Sequence, residues 1–202
     1  MKKLAVSSLI LCSAMASVAA NATNEIEGNF SVHAGLTYGG DDLSTLEYDN
    51  GDKVDITAGG LALLGVGYNI NFSEQISVKI NGSYHFDNAS AKNGDITFSR
   101  FELEAIPYYS INNKVRLGLG AAYHTAVDYN NDFDSNIDTK FDSSVGFILS
   151  GDYQLDNDMG KLELRYVSID YNIDKIGDYS VKDWDLPSID GDHFGVLYHW
   201  VF

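Results

Sequence analysis

The sequence predicts an all-β fold: an eight-stranded antiparallel up-and-down barrel that crosses a membrane on its strands. Three observations predict it. Apolar and polar residues alternate with a period of two in eight separate segments, the spacing of a sheet with two unlike faces. The connections between those segments alternate short and long. The polar face mixes small residues with Lys, Arg, Asp and Glu in mid-strand, which suits a narrow lumen where charges pair.

Composition sets the outer limits. The 202 residues are 45% apolar, enough to exclude a disordered chain. Gly 19, Tyr 13 and Phe 10 against Pro 2 lean towards strands. A single Cys excludes a disulfide scaffold or a Cys-rich zinc module. The formal net charge of −16 argues against nucleic acid as a partner, because phosphates would be repelled.

Residues 1–22, MKKLAVSSLILCSAMASVAANA, read as a secretory signal peptide. Lys2 and Lys3 form the positive start, Leu4 to Leu11 the apolar stretch, and Ala20-Asn21-Ala22 the cleavage site. The apolar run is about half of the roughly 20 residues needed to span a bilayer as a helix. Cys12 follows Leu11, where a lipoprotein signal wants a small residue, so no lipid anchor is expected. The barrel domain is then 23–202, with 11 basic against 29 acidic residues.

The eight alternating segments are Phe30–Tyr38, Ile56–Phe72, Ile76–Phe86, Ile96–Tyr109, Val115–Tyr123, Phe141–Leu155, Leu162–Tyr171 and Phe194–Phe202. Two break phase. Ile96 and Phe98 are even where Phe101 onward is odd, and Val167, Ile169 and Tyr171 follow Tyr166 in the other phase. A β-bulge near Ser99 and another near Tyr166 would realign them.

Residues 71–75, 109–114 and 155–161 are short turns, whereas 40–53, 87–95, 128–140 and 170–192 are long. The long connections hold 18 acidic residues and five Lys, so most of the negative charge sits at one end. Short periplasmic turns and long extracellular loops are the habit of a membrane barrel. The polar face, with Lys79, Glu102, Glu104, Arg116, Asp142, Asp152, Glu163 and Arg165, is then the inside. Two aromatic girdles flank the apolar outside. Tyr38, Phe86, Tyr123, Phe141 and Phe194 lie towards the long loops. Tyr68, Phe72, Tyr109, Tyr153, Trp200 and Phe202 lie towards the short turns.

The last segment, FGVLYHWVF, sets Phe194, Val196, Tyr198, Trp200 and Phe202 at alternate positions. It resembles the C-terminal strand of bacterial outer-membrane barrels, which ends in an aromatic residue that the barrel-assembly machinery recognises. In pattern, residues 23–202 are similar to the small eight-stranded outer-membrane barrel family, of the OmpX/OmpW-like kind. The resemblance implies export and insertion into the outer membrane of a Gram-negative bacterium. It implies periplasmic chaperones and the assembly machinery as transient partners, and outer-membrane lipid and lipopolysaccharide as surroundings. A monomer is expected. No ligand is carried over.

Eight strands enclose a lumen that side chains fill, which excludes a wide pore. Lys79 is expected to face Glu102 or Glu104, and Arg116 to face Glu104, with Glu163 and Arg165 extending the network. The network reads as an ion-paired plug, or alternatively as a narrow path for ions or small solutes. All five His (His33, His85, His124, His193, His199) fall on the polar face, but His199 lies at the periplasmic end and His85 and His193 near the outer end. They cannot all meet at one ion, so no metal, cofactor or catalytic residue is expected. A lipid-A-modifying barrel enzyme is the further alternative. It needs a Ser activated by His, and no His-x-Ser pair occurs, although cross-strand pairing stays open. Asp132 to Asp138 has the spacing of a calcium loop but lacks the central Gly and the closing Glu. The expected function is non-enzymatic: a structural or interaction role at the cell surface, with acidic extracellular loops.

Overall fold

The computed structural model describes residues 27–48, 50–91, 94–132, 138–155 and 160–202. The signal segment, and most of the calcium-like loop 132–138, lie outside the described residues. Eight strands form the wall: β1 (Glu27–Gly39), β2 (Leu61–Asn71), β3 (Ile76–Ala91), β4 (Gly94–Ser110), β5 (Val115–Asn131), β6 (Ser144–Gln154), β7 (Gly160–Ser168) and β8 (His193–Val201). Each pairs antiparallel with its neighbours in sequence. β8 returns to β1 in register from Ser31 opposite Val201 to Gly39 opposite His193. The Phe202 N–H adds one more rung by donating to Phe30 O at 2.8 Å. Closure leaves the wall no free edge, so its backbone groups are met strand to strand, as a membrane requires. No helix among the described residues is long and apolar enough to cross a membrane.

The alternation sorts side chains as the sequence predicts over most of the wall. Phe30, Leu36, Leu64, Val66, Leu103, Leu119, Val145, Leu149, Leu164 and Val196 face outward and are exposed. Lys79, Asn81, Glu102, Glu104, Ser150, Asp152, Glu163 and Arg165 face inward and are buried. Outward aromatics pair near both ends: Tyr38 stands opposite Phe194, which stands opposite Tyr166, while Phe30 stands opposite Tyr68. Glycine makes the inside fit. A Cβ at Gly65 would lie 2.6 Å from His33 Nε2, so an inward His on β1 requires an unsubstituted neighbour on β2.

The described parts of the long connections carry strands of their own. Residues 87–91 and 94–95 continue the β3–β4 ladder, paired from Phe86–Ser99 up to Ala91–Gly94. Asp42–Glu47 and Lys53–Thr57 form a hairpin of their own, separated from β2 by a turn at 58–59. Thr139–Phe141 adds to the end of β5, and Ile173–Ile176 adds to it in turn.

This extension corrects the reading of both phase breaks. β7 keeps an unbroken register with β6 and β8 through Tyr166, so there is no bulge there. Near Ser99 a register shift does occur, but the extra residue is on β5, where Ala126 takes a left-handed φ of 48°. Along β4 and β7 the inner face simply changes character. Ile96 and Phe98 lie on the same inner face as Arg100 and Glu102, and Val167, Ile169 and Tyr171 on that of Glu163 and Arg165. Ile56, Ala58 and Phe141, expected on the apolar outside, are likewise buried inside. Asp142, expected in the lumen, is half exposed and binds Lys182 at 2.8 Å. Hydrogen bonds from Lys182 to Asp142 and Asp174 raise the pKa of that exposed amine.

The inside is therefore layered. Polar and charged groups fill it along the apolar belt. At the long-loop end they give way to an apolar cluster of Leu46, Ile56, Ile96, Phe98, Val127, Phe141, Val167, Ile169 and Tyr171. There the outside turns polar, with Thr97 and Ser99 on β4 and Ser168 on β7 facing out.

This inversion yields a positional test. Leu103, 57% exposed, sits within the apolar belt, whereas Thr97, on the same outer face, lies above it. Leu103→Ala is expected to cost on the order of 1–2 kcal/mol of apolar contact. Leu103→Arg is expected to cost about 2–4 kcal/mol, as charge on a lipid face does near mid-bilayer. Thr97→Arg should stay within about 0.5 kcal/mol, as surface changes do. Urea unfolding from lipid vesicles measures all three. Equal tolerance of Leu103→Arg and Thr97→Arg would invert the inside–outside assignment.

Candidate functional site

The one concentration of chemistry among the described residues is the charged filling of the lumen. It has two layers. The layer nearer the short turns is built on Lys79 (β3), Glu104 (β4), Asp152 (β6), and Glu163 and Arg165 (β7). Lys79 Nζ donates to Glu163 Oε2 at 2.6 Å and to the Asp152 oxygens at 3.3 and 3.4 Å. Arg165 holds Glu104 with both Nη atoms, at 2.5 and 3.0 Å, and Glu163 with Nε, at 2.8 Å. Arg116 binds Asp152 through Nη2, and through Nη1 binds Asn69 and Ser77, each at 3.0 Å. Tyr108 lies between the two cations, with Lys79 Nζ and the Arg116 guanidinium each 4.7 Å from its ring centre. Asn81, Ser150 and His199 satisfy further carboxylate lone pairs at 2.7–2.8 Å.

The second layer lies under the apolar cluster and centres on Arg100, which is fully buried. Its Nε donates to Glu102 at 3.2 Å and its Nη2 to His85 Nδ1 at 2.6 Å. Its guanidinium stacks 5.3 Å from the Phe98 ring and 5.8 Å from that of Tyr171. His85 Nδ1 stands between Arg100 Nη2, which can only donate, and Glu102 Oε1, which can only accept and lies 2.7 Å away, while His85 Nε2 donates to Gly60 O at 2.9 Å, with Thr37 Oγ1 at 2.7 Å.

Across both layers the paired cations are Lys79, Arg100, Arg165 and the half-buried Arg116, and their carboxylates are Glu102, Glu104, Asp152 and Glu163; Asp87, also buried, accepts from the Thr57 N–H at 2.9 Å. The paired groups stand four against four, and Asp87 adds one further buried carboxylate. All six residues expected to form the network are there, but with other partners. Lys79 reaches Asp152 and Glu163 rather than Glu102 or Glu104, and Arg116 reaches Asp152 rather than Glu104. The Lys79 pairs and Arg165–Glu104 run across the lumen between distant strands, to which sequence adjacency does not point, whereas Arg116 pairs with Asp152 directly opposite it on the next strand, β6. Arg100 was hidden by the phase break expected beside it.

Cross-strand hydroxyl–histidine pairs also form: His33 Nε2 with Ser83 Oγ at 2.8 Å, His85 with Thr37, and His124 Nδ1 with Tyr171 OH at 2.7 Å. All lie inside the wall. The histidines gather in two groups. His33 and His199 rings are 4.9 Å apart at one level, and His85 and His193 rings are 5.3 Å apart at the other.

The lumen opens at the short-turn end. A vestibule of about 670 Å³ is bordered there by Glu74, Gln75, Ser110, Lys114, Arg116 and Lys161. Inward, among Asn69, Lys79, Arg116 and His199, free space falls to about 10 Å³, no more than a single water.

Buried pairs of this kind are tested by breaking one partner. Glu104→Ala should strand Arg165 and cost about 3–5 kcal/mol. Glu104→Gln keeps the shape and one acceptor and should cost less. Urea unfolding in vesicles gives the order; a silent Glu104→Ala would show that water, not Glu104, solvates Arg165.

The comparisons with known proteins bear on the whole wall. Three solved structures are similar to this chain at low identity. Ail, the attachment invasion locus protein of Yersinia pestis, matches with 14% identity and a TM-score of 0.49, over 89% of this chain and 100% of its own. Neisserial surface protein A matches with 9% identity and a TM-score of 0.50, over 89% of this chain and 100% of its own. The outer membrane protein AlkL matches with 15% identity and a TM-score of 0.48, over 89% of this chain and 92% of its own. No curated protein matches the sequence. The family match is by sequence pattern and spans residues 8–201, from before the first strand to the last residue of β8. With the closed eight-stranded wall, the apolar belt and the polar lumen, it makes this chain a member of the outer membrane protein β-barrel domain family.

Proposed function

We propose that the protein is a non-enzymatic, non-conducting outer-membrane barrel with a structural and interaction role at the cell surface. The double closure of the lumen carries this reading. Ion pairs fill one stretch and an apolar cluster fills the next, and neither gives a hydrated ion a continuous path. The acidic extracellular end supplies the interacting surface. With 18 acidic residues against five Lys in the four long connections, it favours cationic partners and divalent bridges to lipopolysaccharide. The hydroxyl–histidine pairs sit inside the wall, away from lipid A, which supports the non-enzymatic reading. Purified barrel in a planar bilayer should give no discrete conductance steps, and its overexpression should leave lipid A mass unchanged. Reproducible steps would favour the narrow channel; a lipid A mass shift would favour the modifying enzyme.

The same proposal takes the barrel to be a monomer inserted by the barrel-assembly machinery after escort by periplasmic chaperones, behind a cleaved signal at 1–22. The outward row Phe194, Val196, Tyr198, Trp200 and Phe202 supplies the recognition strip. Phe202 itself is 76% exposed, so its ring is held by little within the barrel. Phe202→Ala should lower the membrane-inserted yield in cells several-fold while barely changing urea stability once inserted. Unchanged yield would mean that Phe202 is not read during assembly.

A further inference from the structure

We propose that His85, His193 and Glu102, with His124 as a fourth donor, form a binding site for one divalent transition-metal ion beneath the apolar cap. One ligand atom from each of the first three lies within 4.8 Å of the others. Small side-chain rotations bring that spread onto one ion. The imidazoles are also oriented for it. His193 Nδ1 donates to Gly191 O at 2.7 Å, which leaves the Nε2 lone pair as its free donor. His124 Nδ1 is paired with Tyr171 OH at 2.7 Å. Its Nε2 is buried, meets no hydrogen-bond partner, and stands 3.6 Å from Glu102 Oε1. His85 Nε2 donates to Gly60 O at 2.9 Å, and its Nδ1 is hydrogen-bonded to Glu102 Oε1 at 2.7 Å, a contact in which an ion can take the place of the proton. Metal-ligating histidines are held in this way, with one nitrogen tied to an outer oxygen and the other turned inward.

The Arg100 guanidinium is the cation that meets these groups in the structure, and it does so incompletely. It reaches His85 and Glu102, while His124 Nε2 and its own Nη1 stay buried without partners. A small ion between the imidazoles satisfies the lone pair that a planar guanidinium cannot reach. Arg100 then leans on the Phe98 and Tyr171 rings that it already faces. Three imidazoles and one carboxylate suit zinc, nickel or copper rather than calcium or magnesium. An ion plus Arg100 leaves this layer with excess positive charge, so Arg100 is a competitor rather than a ligand. The site is covered on the long-loop side by the apolar cluster. The legs of the 42–57 hairpin lie on the site, since Gly60 O accepts from His85 and a Cβ at Gly59 would come 2.6 Å from His193 Cβ. The site therefore loads as the barrel folds.

The test is to refold urea-unfolded protein in micelles with zinc and an excess of calcium to occupy surface carboxylates. After desalting, zinc is counted by mass spectrometry, with faster migration of unboiled protein as the check of folding. Wild type should retain about one zinc per barrel. His193→Asn should retain at least about tenfold less, and Arg100→Gln should release zinc more slowly than wild type. Tyr171→Phe removes only the outer partner of His124 and serves if His193→Asn does not fold; it should weaken retention about tenfold. The proposal is overturned if wild type retains no zinc, or if folded His193→Asn or Tyr171→Phe retains as much as wild type.

Discussion

Every other feature of this molecule follows from closing eight strands into a ring. A ring of that size leaves an interior that side chains fill and water does not. Lipid outside forces the polar residues of each alternating strand into that interior, where an unpaired charge costs several kcal/mol. The lumen can tolerate ionised groups only if they cancel and are hydrogen-bonded. Four cations and four carboxylates, paired in the lumen and padded by Tyr108, Ser150 and Asn81, cancel in this way, and the further buried carboxylate Asp87 is hydrogen-bonded by the Thr57 N–H. Long-range pairs such as Lys79 with Glu163 and Arg165 with Glu104 also brace opposite walls, as hydrogen bonds between adjacent strands cannot.

The second constraint is the change of solvent along the strands. Where lipid surrounds the wall, outward residues are apolar and inward ones polar. Where β3, β4 and β5 run on into water, the preference reverses. On β4 the outer face passes from Leu103 and Phe101 to Ser99 and Thr97, while the inner face passes from Glu104 and Glu102 to Phe98 and Ile96. On β7 and its continuation the same exchange runs from Leu164 and Arg165 to Ser168 and Ile169. The exchange occurs near the outward aromatics Phe86, Tyr166 and Phe194, so the aromatic row and the inversion mark one boundary.

That inversion explains what was legible in the sequence. Period-two alternation within uniform surroundings is readable, so the barrel, its eight strands and the inward set from Lys79 to Arg165 were recoverable from residue order. At the boundary the side-chain period continues but the meaning of each face is exchanged. A rule that equates apolar with outside then reports a phase slip where the backbone has none. Phe98, Val167 and Phe141 were misplaced for that reason, and Arg100, between Phe98 and Glu102, was lost with them. Pairing inside the lumen was illegible for a different reason. It depends on which strands face each other across a closed ring, and Lys79 and Glu163 are 84 positions apart in sequence.

The two layers and the apolar cluster divide the work of holding the lumen shut. The lower layer pairs the charges of Lys79, Asp152, Glu163, Arg165 and Glu104 with one another, leaves Asn81 Oδ1 and Arg116 Nε unmet, and borders the vestibule through Arg116 and Asp152. The upper layer has more histidine than charge, and its unmet atoms, His124 Nε2 and Arg100 Nη1, lie under the 42–57 hairpin rather than beside solvent. An apolar roof raises the cost of each unmet atom, because it removes the water that would otherwise serve as partner. The ion-paired lower layer therefore bears on the stability of the barrel. The upper one, roofed by a hairpin whose legs are Gly39-Gly40 and Gly59-Gly60, is where a bound species has most to offer the fold.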